Sequence, residues 1–413
     1  MPESPAGGVF RHSNFRYYLM VRVLTTTASE MQAVAVAWQV YGLTHRPLDL
    51  GLVGLAQFLP GILLFLITGD VADRFPRQRI LQVSCVGFAL CSLLLLELTL
   101  HGVSSVFLLY GVLLGNGTVR AFNGPAGQAF LPLLVPEKVF PKAVAWNSSI
   151  FQAAAIAGPV VGGLLYGWTA SPAPVYSCAG IEYLAALLVL AGIHIPAVQQ
   201  TRPAPSYALA LEGLRYIGRN RLILGAISLD LFAVLLGGAV ALLPVYAREI
   251  LKIGASGLGI LRSAPGLGAV VMALVVAHWP LRRHAGAIML WCVCGFGVFT
   301  IVFGLSCRLW LSLAALALIG ACDMVSVVVR HTLIQLSTPD EKRGRVSAVN
   351  VVFIGASNEV GQFESGLTAQ WFGTVPAVVL GGLGTIAIVA LWAWWFPALR
   401  RVNALAPEQV PRD

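Results

Sequence analysis

Long apolar segments alternate with short polar segments along the whole chain of 413 residues. An α-helix needs about 20 mostly apolar residues to cross the hydrocarbon region of a bilayer. Twelve segments meet this requirement: 17 to 41, 50 to 72, 79 to 100, 104 to 131, 142 to 168, 174 to 195, 222 to 247, 256 to 279, 285 to 307, 309 to 331, 345 to 371 and 375 to 397. The pattern predicts an all-α integral membrane protein with twelve transmembrane helices, numbered here as spans 1 to 12.

The composition agrees with a lipid environment. Hydrophobic residues make up 57% of the chain and charged residues only 11%, whereas a soluble domain is about 25% charged. A net charge of +9 would suggest nucleic acid binding in a soluble protein, but the basic residues fall in short loops between spans. We therefore expect the lipid bilayer as the surroundings and no nucleic acid as a partner.

The chain lacks the common motifs of ATPases and hydrolases. None of its four lysines follows a glycine, as a phosphate-binding loop would require, and neither a zinc-protease nor a serine-hydrolase motif is present. The seven cysteines lie within or at the ends of apolar segments without a C-x-x-C pair, which favours packing over metal binding. We expect no enzymatic activity, no cofactor and no metal site.

The orientation follows from the distribution of Lys and Arg, because short cytoplasmic loops retain positive charge. With the N-terminus inside, twenty basic residues, Arg330 among them, fall in inner segments and four fall in outer loops. The outer four are Arg46, Arg248, Lys252 and Arg308. This asymmetry predicts that both termini are cytoplasmic.

The two halves of the chain repeat one another. At an offset of 203 residues, Asn147 meets Asn350 and Gly158 meets Gly361, and duplicated halves are common in transporters. We expect two pseudo-symmetric six-helix bundles, residues 1–195 and 222–413, joined by a cytoplasmic central linker, 196–221.

The loop between spans 2 and 3 resembles the signature of the major facilitator superfamily. It contains Asp70, Asp73, Arg74 and Arg77, with Pro76 near the position of the usual glycine. The resemblance implies a gating role, in which the acids and arginines form a latch that breaks when the two halves rock. At the corresponding loop of the second half this pattern is lost.

Span 5 contains the sequence Gly158-Pro159-Val160-Val161-Gly162-Gly163. It is similar to a G-P-x-x-G-G pattern that the family associates with antiporters, and it implies a pivot where backbones approach closely. The loop 338–346 resembles that of the third drug:proton antiporter branch, which includes enterobactin and macrolide exporters. Segments of spans 1 and 11 resemble this branch too.

Ionisable residues inside a membrane suggest function, because burying a charge there costs roughly 2.5–3.5 kcal/mol. Spans 1, 4, 7 and 10 line the central cavity in the superfamily, and here they carry Glu30, Arg120, Asp230 and Asp323 respectively. The offset of 203 residues places Arg120 on Asp323. We hypothesise that the two form a pair that exchanges partners as protons bind; an inert buried salt bridge is the alternative.

Three further carboxylates leave alternatives open. Asp230 lies only about 12 Å into span 7 and could be an interfacial cap. Glu359 and Glu364 of span 11 lie about 140° apart around a helix, so that both cannot face one site. They are kept as candidate cavity residues, one of which faces a neighbouring helix.

The resemblance implies a secondary active transporter of the bacterial cytoplasmic (inner) membrane that exports small organic molecules by proton antiport with alternating access. The partners would be a small-molecule substrate and protons; a monomer is expected, with periplasmic or outer-membrane export partners as an open possibility. Proton-coupled uptake by symport and a non-transporting receptor are the alternatives. Arg120 would suit an anionic siderophore, whereas Glu30 and Asp323 would suit a cationic drug, so charge alone leaves the substrate open.

Overall fold

A computed structural model of the protein describes residues 8–102, 105–194, 207–279 and 284–402. The first part of the expected linker, up to residue 206, lies outside these ranges. The side chain of Asp73, a member of the expected gating loop, is also outside the described part of the structure.

The expected all-α membrane fold is confirmed, since each of the twelve spans is helical and no strand occurs in the described ranges. The helices are α1 (Ser13–Thr44), α2 in two pieces (Pro47–Leu63 and Phe65–Arg74), α3 (Arg77–Leu100), α4 (Val106–Phe130), α5 (Phe140–Thr169), α6 (Ala173–Ala191), α7 (Arg221–Leu236), α8 (Gly254–His278), α9 (Ala285–Leu305), α10 (Leu309–Ser337), α11 (Asp340–Phe372) and α12 (Thr374–Trp395). Eight helical segments of the described chain are long and apolar enough to cross a membrane by length and composition. The other four helices are α1, α2, α4 and α11, of which α2 is divided into two short pieces.

Large apolar side chains cover much of the outer surface. Trp168 and Trp310 are each 81% exposed, and Phe107 is 77% exposed. A soluble protein would not leave so many large apolar groups in water. Their exposure fits contact with lipid, and α-helices satisfy all their backbone hydrogen bonds in that environment.

The chain divides into two compact units. Unit 1 comprises Met1–His45, Ala56–Pro205 and Ile253–Ser263; unit 2 comprises Arg46–Leu55, Ser206–Lys252 and Ala264–Asp413. The predicted bundles treated α2 and α8 as undivided, whereas the compact units divide both helices. The predicted domain boundaries stay a prediction.

In unit 1, long-range side-chain bonds cap the end of α6. Gln78 donates to the carbonyls of Leu190 at 2.9 Å and Ile193 at 2.7 Å, and Asn14 donates to that of His194 at 2.9 Å. The last carbonyls of a helix have no partner within the helix, so these bonds fix the end of α6 against α1 and α3.

Unit 2 contains one more helix than the pattern predicted. Residues Tyr207–Arg219, within the expected linker, form a helix that packs through Ile217 on Ile334 and Val346. Tyr216 donates to the carbonyl of Ser337 at 2.9 Å. This linker helix is too short to register as a span, but its apolar face gives it a place in the core of unit 2.

The end of α7 is irregular. After Leu236 the chain continues as a 3₁₀ turn, Ala239–Leu242, and then as a π turn, Tyr246–Ile250. A Cβ atom on Gly238 would lie 2.8 Å from the carbonyl oxygen of Gly361 in α11. The close approach of two backbones therefore requires a glycine where α7 is interrupted.

Candidate functional site

The strongest polar feature of unit 2 is an ion pair between Asp230 of α7 and Arg330 of α10. Both residues are buried, with exposed fractions of 7% and 1%. An interfacial cap would be solvated, so the burial of Asp230 favours its interpretation as an internal charge, and its role in transport stays a prediction. Arg330 was counted with the inner segments at the end of span 10 (309 to 331), but α10 continues to Ser337 and places it two turns before the helix end.

Asp323 lies on the same side of α10 as Arg330, because seven residues complete two turns. Asp230 and Asp323 line one small cleft, together with Phe296 and Ser326. Asp323 is also within electrostatic range of Asp230 and Arg330. One carboxylate thus pairs with the guanidinium, and a second lies near this pair in a largely apolar surrounding.

A second ion pair lies in unit 1. Glu30 of α1 and Arg262 of α8 approach to 3.9 Å, and their side chains are 31% and 29% exposed. The distance is at the outer limit of a salt bridge, and the partial exposure screens the charges. We interpret it as a weak pair that can open, in contrast to the buried pair of unit 2.

The expected pivot on α5 forms close helix contacts within unit 1. A Cβ atom on Gly158 would lie 2.7 Å from the Cβ of Glu30, and one on Gly162 would lie 2.7 Å from the Cα of Met31. Any side chain at these two positions would push α1 away from α5.

A second side of α5 receives the first part of α8. A Cβ atom on Gly163 would lie 2.9 Å from the Cα of Gly259, and one on Gly259 would lie 2.2 Å from the carbonyl oxygen of Pro159. Ser263 reinforces this contact by donating to the carbonyl of Ile156 at 2.6 Å. The sequence motif is therefore a packing surface on two sides, and its pivot role stays a prediction.

The described part of the expected gating loop forms local contacts. Arg74 pairs with Asp70 at 2.8 Å across one exposed turn, and Arg77 donates to the carbonyl of Ala129 at 2.9 Å. The second contact connects the start of α3 to the end of α4. Whether the loop acts as a latch stays a prediction.

The two glutamates of α11 have different neighbours, as their angular separation predicts. Glu359 accepts a hydrogen bond from Gln362 at 3.3 Å, and a Cβ atom on Gly54 of α2 would lie 3.2 Å from its carboxylate. Glu364 accepts from Thr368 at 2.7 Å. Their role in a cavity stays a prediction.

Arg120 is exposed on α4 in unit 1, whereas Asp323 belongs to unit 2. The hypothesised pairing of these two residues therefore stays a prediction. Sequence reasoning missed the partners that each unit supplies by itself, namely Arg330 for Asp230 and Arg262 for Glu30. The spacing of seven between Asp323 and Arg330 was a usable signal, whereas no sequence signal identified Arg262.

Comparisons with known proteins agree with this fold. A family model described as transmembrane secretion effector matches residues 5–411. Enterobactin exporter EntS of Shigella boydii and that of Escherichia coli are each 25% identical to the chain over 409 residues, covering 97% of this chain and 96% of the relative.

Solved structures with a similar fold include other transporters. The nucleoside transporter NupG has a TM-score of 0.74 at 12% identity and covers 93% of this chain and 99% of its own. A bacterial homologue of the iron transporter ferroportin, in an inward-facing state, has a TM-score of 0.69 at 14% identity and covers 94% and 99%. Because the family model spans nearly the entire sequence, the chain belongs to the transmembrane secretion effectors of the major facilitator superfamily, which are membrane transporters and not enzymes.

Proposed function

We propose that this protein exports small organic molecules across the bacterial cytoplasmic membrane by proton antiport with alternating access, and that both of its termini are cytoplasmic. The observation that carries the proton coupling is the charge set of unit 2. Asp230, Asp323 and Arg330 lie together, so that two carboxylates face one guanidinium. A proton on one carboxylate would balance the charge, and its loss would leave a net negative charge in a membrane segment.

Asp323 is the residue to which we assign the exchangeable proton. Asp230 is buried and paired directly with Arg330, whereas Asp323 lines the same cleft and is less buried. A proton carrier must be reached from outside the protein and must change its charge without disrupting the fold. Asp323 fits both conditions better than Asp230.

Export and the substrate class are inferred from similarity. The relatives at 25% identity are named as exporters of enterobactin, a catecholate siderophore, and the Gly158–Gly163 motif resembles that of antiporters. A macrolide represents the cationic alternative. Uptake by symport would move protons in the same direction as the substrate. The direction of proton movement therefore distinguishes antiport from symport.

The test is substrate-driven proton movement in proteoliposomes that contain a pH-sensitive dye. We expect that enterobactin added to one side of the membrane causes protons to leave the opposite side. The variant Asp323→Asn should abolish this signal. Glu97→Gln is the matched control, because Glu97 is an exposed carboxylate at the end of α3. Wild-type coupling retained in Asp323→Asn would exclude Asp323 as the carrier.

The same vesicles test the function itself. Proton movement with a macrolide but not with enterobactin would assign a cationic substrate. Silence of the wild-type protein with both compounds would contradict the proposed antiport of these substrate classes, and proton movement along with the substrate would establish symport instead.

A further inference from the structure

Arg22 lies inside α1 and is not accounted for by the ion pairs described above. It lies nine residues after Ser13, the first residue of the helix, which corresponds to about 14 Å along the axis. Its Nε atom is buried and has no hydrogen-bond partner among the described residues. No carboxylate of the described residues forms an ion pair with it. Glu30 of the same helix pairs with Arg262 instead.

The guanidinium of Arg22 lies against the aromatic ring of Phe151 on α5. The Cζ atom of Arg22 lies 5.0 Å from the ring centroid, which is within the range of a cation–π contact. The ring holds the side chain in place but accepts no hydrogen bond of ordinary strength. The guanidinium therefore keeps at least one donor, its Nε–H, without a partner among the described residues.

A hydrogen-bond acceptor without a donor lies on α5, one helical turn from Phe151. The Oδ1 atom of Asn147 is buried and unpaired in the described structure, and residues four apart occupy the same face of a helix. Asn147 and Phe151 therefore lie on the same face of α5. Unpaired buried polar atoms are costly, and one reason for keeping them is that a ligand completes their hydrogen bonds.

We propose that Arg22, with Asn147, forms a subsite in unit 1 for an acidic group of the transported molecule, of the carboxylate or phenolate class. The guanidinium would bind the anion by a charge-assisted hydrogen bond, and the Asn147 oxygen would accept from a hydroxyl or amide N–H beside it. A hydroxylated benzoate or catechol carries both features. This inference rests on the proposed function, because it assigns the class of substrate to an exporter.

The test compares two probes of similar size and shape, the anionic dihydroxybenzoate and the neutral dihydroxybenzamide. Their binding to the full-length protein in nanodiscs of neutral lipid is measured by titration calorimetry. We expect tighter binding of the anion by the wild-type protein, a loss of about tenfold or more for the anion in Arg22→Gln with little change for the amide, and partial recovery in Arg22→Lys.

Arg16→Gln is the matched control, since Arg16 is an exposed arginine on the same helix; it should bind both probes as the wild-type protein does. The inference is overturned if Arg22→Gln keeps the preference for the anion, if Arg16→Gln loses it equally, or if the wild-type protein binds neither probe. A thermal unfolding midpoint of Arg22→Gln close to that of the wild type shows that the variant is folded. If dihydroxybenzoate binds through Arg22 but enterobactin moves no protons, the subsite stands and the proposed antiport fails.

Discussion

Asp230 and Arg330 form a buried ion pair. Among the described residues, this is the pair whose disruption we expect to lower stability most. Both are buried, and removing one partner of a buried pair costs roughly 3–5 kcal/mol because the other charge is left uncompensated. We predict that Arg330→Gln markedly lowers the midpoint of thermal unfolding in detergent. Replacing both residues, Asp230→Leu with Arg330→Met, should recover most of the loss.

The partly exposed pair of Glu212 and Arg345 in the same unit is a control for this prediction. Their atoms approach to 2.5 Å, but their side chains are 43% and 34% exposed. Such pairs contribute about 0–1 kcal/mol, so Arg345→Gln should scarcely change the midpoint. If Arg330→Gln changed it no more than Arg345→Gln does, the buried pair would not stabilise the fold.

The charged residues show what a sequence can and cannot reveal about a site. Asp230 and Asp323 were found because a charge in an apolar segment is visible without coordinates. Arg330 was counted with the inner segments because the predicted span 10 ends at residue 331, whereas α10 continues to Ser337. Arg262 could not be assigned as a partner from the sequence, because Glu30 lies more than two hundred residues away and hydropathy carries no information about helix neighbours.

At the scale of helices, the contact of α5 with the first part of α8 is the clearest candidate for a functional element. It depends on glycines, because a Cβ atom on Gly259 would overlap the carbonyl oxygen of Pro159 at 2.2 Å. We predict that Gly259→Leu separates these helices and abolishes transport while the helical content measured by circular dichroism stays constant. A cysteine at Ser263, which is buried in the wild type, should then become labelled by an aqueous maleimide.

This labelling requires a background without the seven native cysteines. Gly111→Leu on α4 is the matched control, because no atom lies within 4 Å of a Cβ at that position, and it should affect neither transport nor labelling. Normal transport by Gly259→Leu would show that close packing of α5 and α8 is dispensable.

The helices themselves were the most predictable part of the molecule. Twenty-residue apolar segments have few alternatives in a bilayer, so the spans and α1 to α12 agree to within a few residues at most ends. The break in α2, the turns after Leu236 and the linker helix were not predicted. These features depend on tertiary contacts, such as that of Gly238 with Gly361 and that of Ile217 with Ile334, which a hydropathy pattern does not record.

Over the whole molecule, the charges away from helix ends are distributed unequally between the two units. In unit 1 the spans carry three arginines and two glutamates, and in unit 2 they carry four acids and one arginine. The residues of unit 1 are Arg22, Arg120, Arg262, Glu30 and Glu182; those of unit 2 are Asp230, Asp323, Glu359, Glu364 and Arg330. An anionic substrate group would favour the first set, and a proton the second.

This division leads to a prediction about how substrate and proton sites combine. Arg22 and Asp323 belong to different units and share no described partner, and effects of independent sites add. Arg22→Gln should raise the KM for an anionic substrate by about tenfold without changing the number of protons moved per substrate. Asp323→Asn should abolish proton movement with little effect on substrate binding, and the double variant should show both changes undiminished.

The measurement is the KM and the proton-to-substrate ratio of each variant in the same proteoliposomes. A changed ratio in Arg22→Gln alone would mean that substrate and proton compete for one site, and the assignment of separate sites would be wrong. A double variant less impaired than the sum of the single changes would lead to the same conclusion. Additive changes would instead mean that substrate and proton bind at separate sites. Their transport would then be coupled only through the conformational change of the transporter.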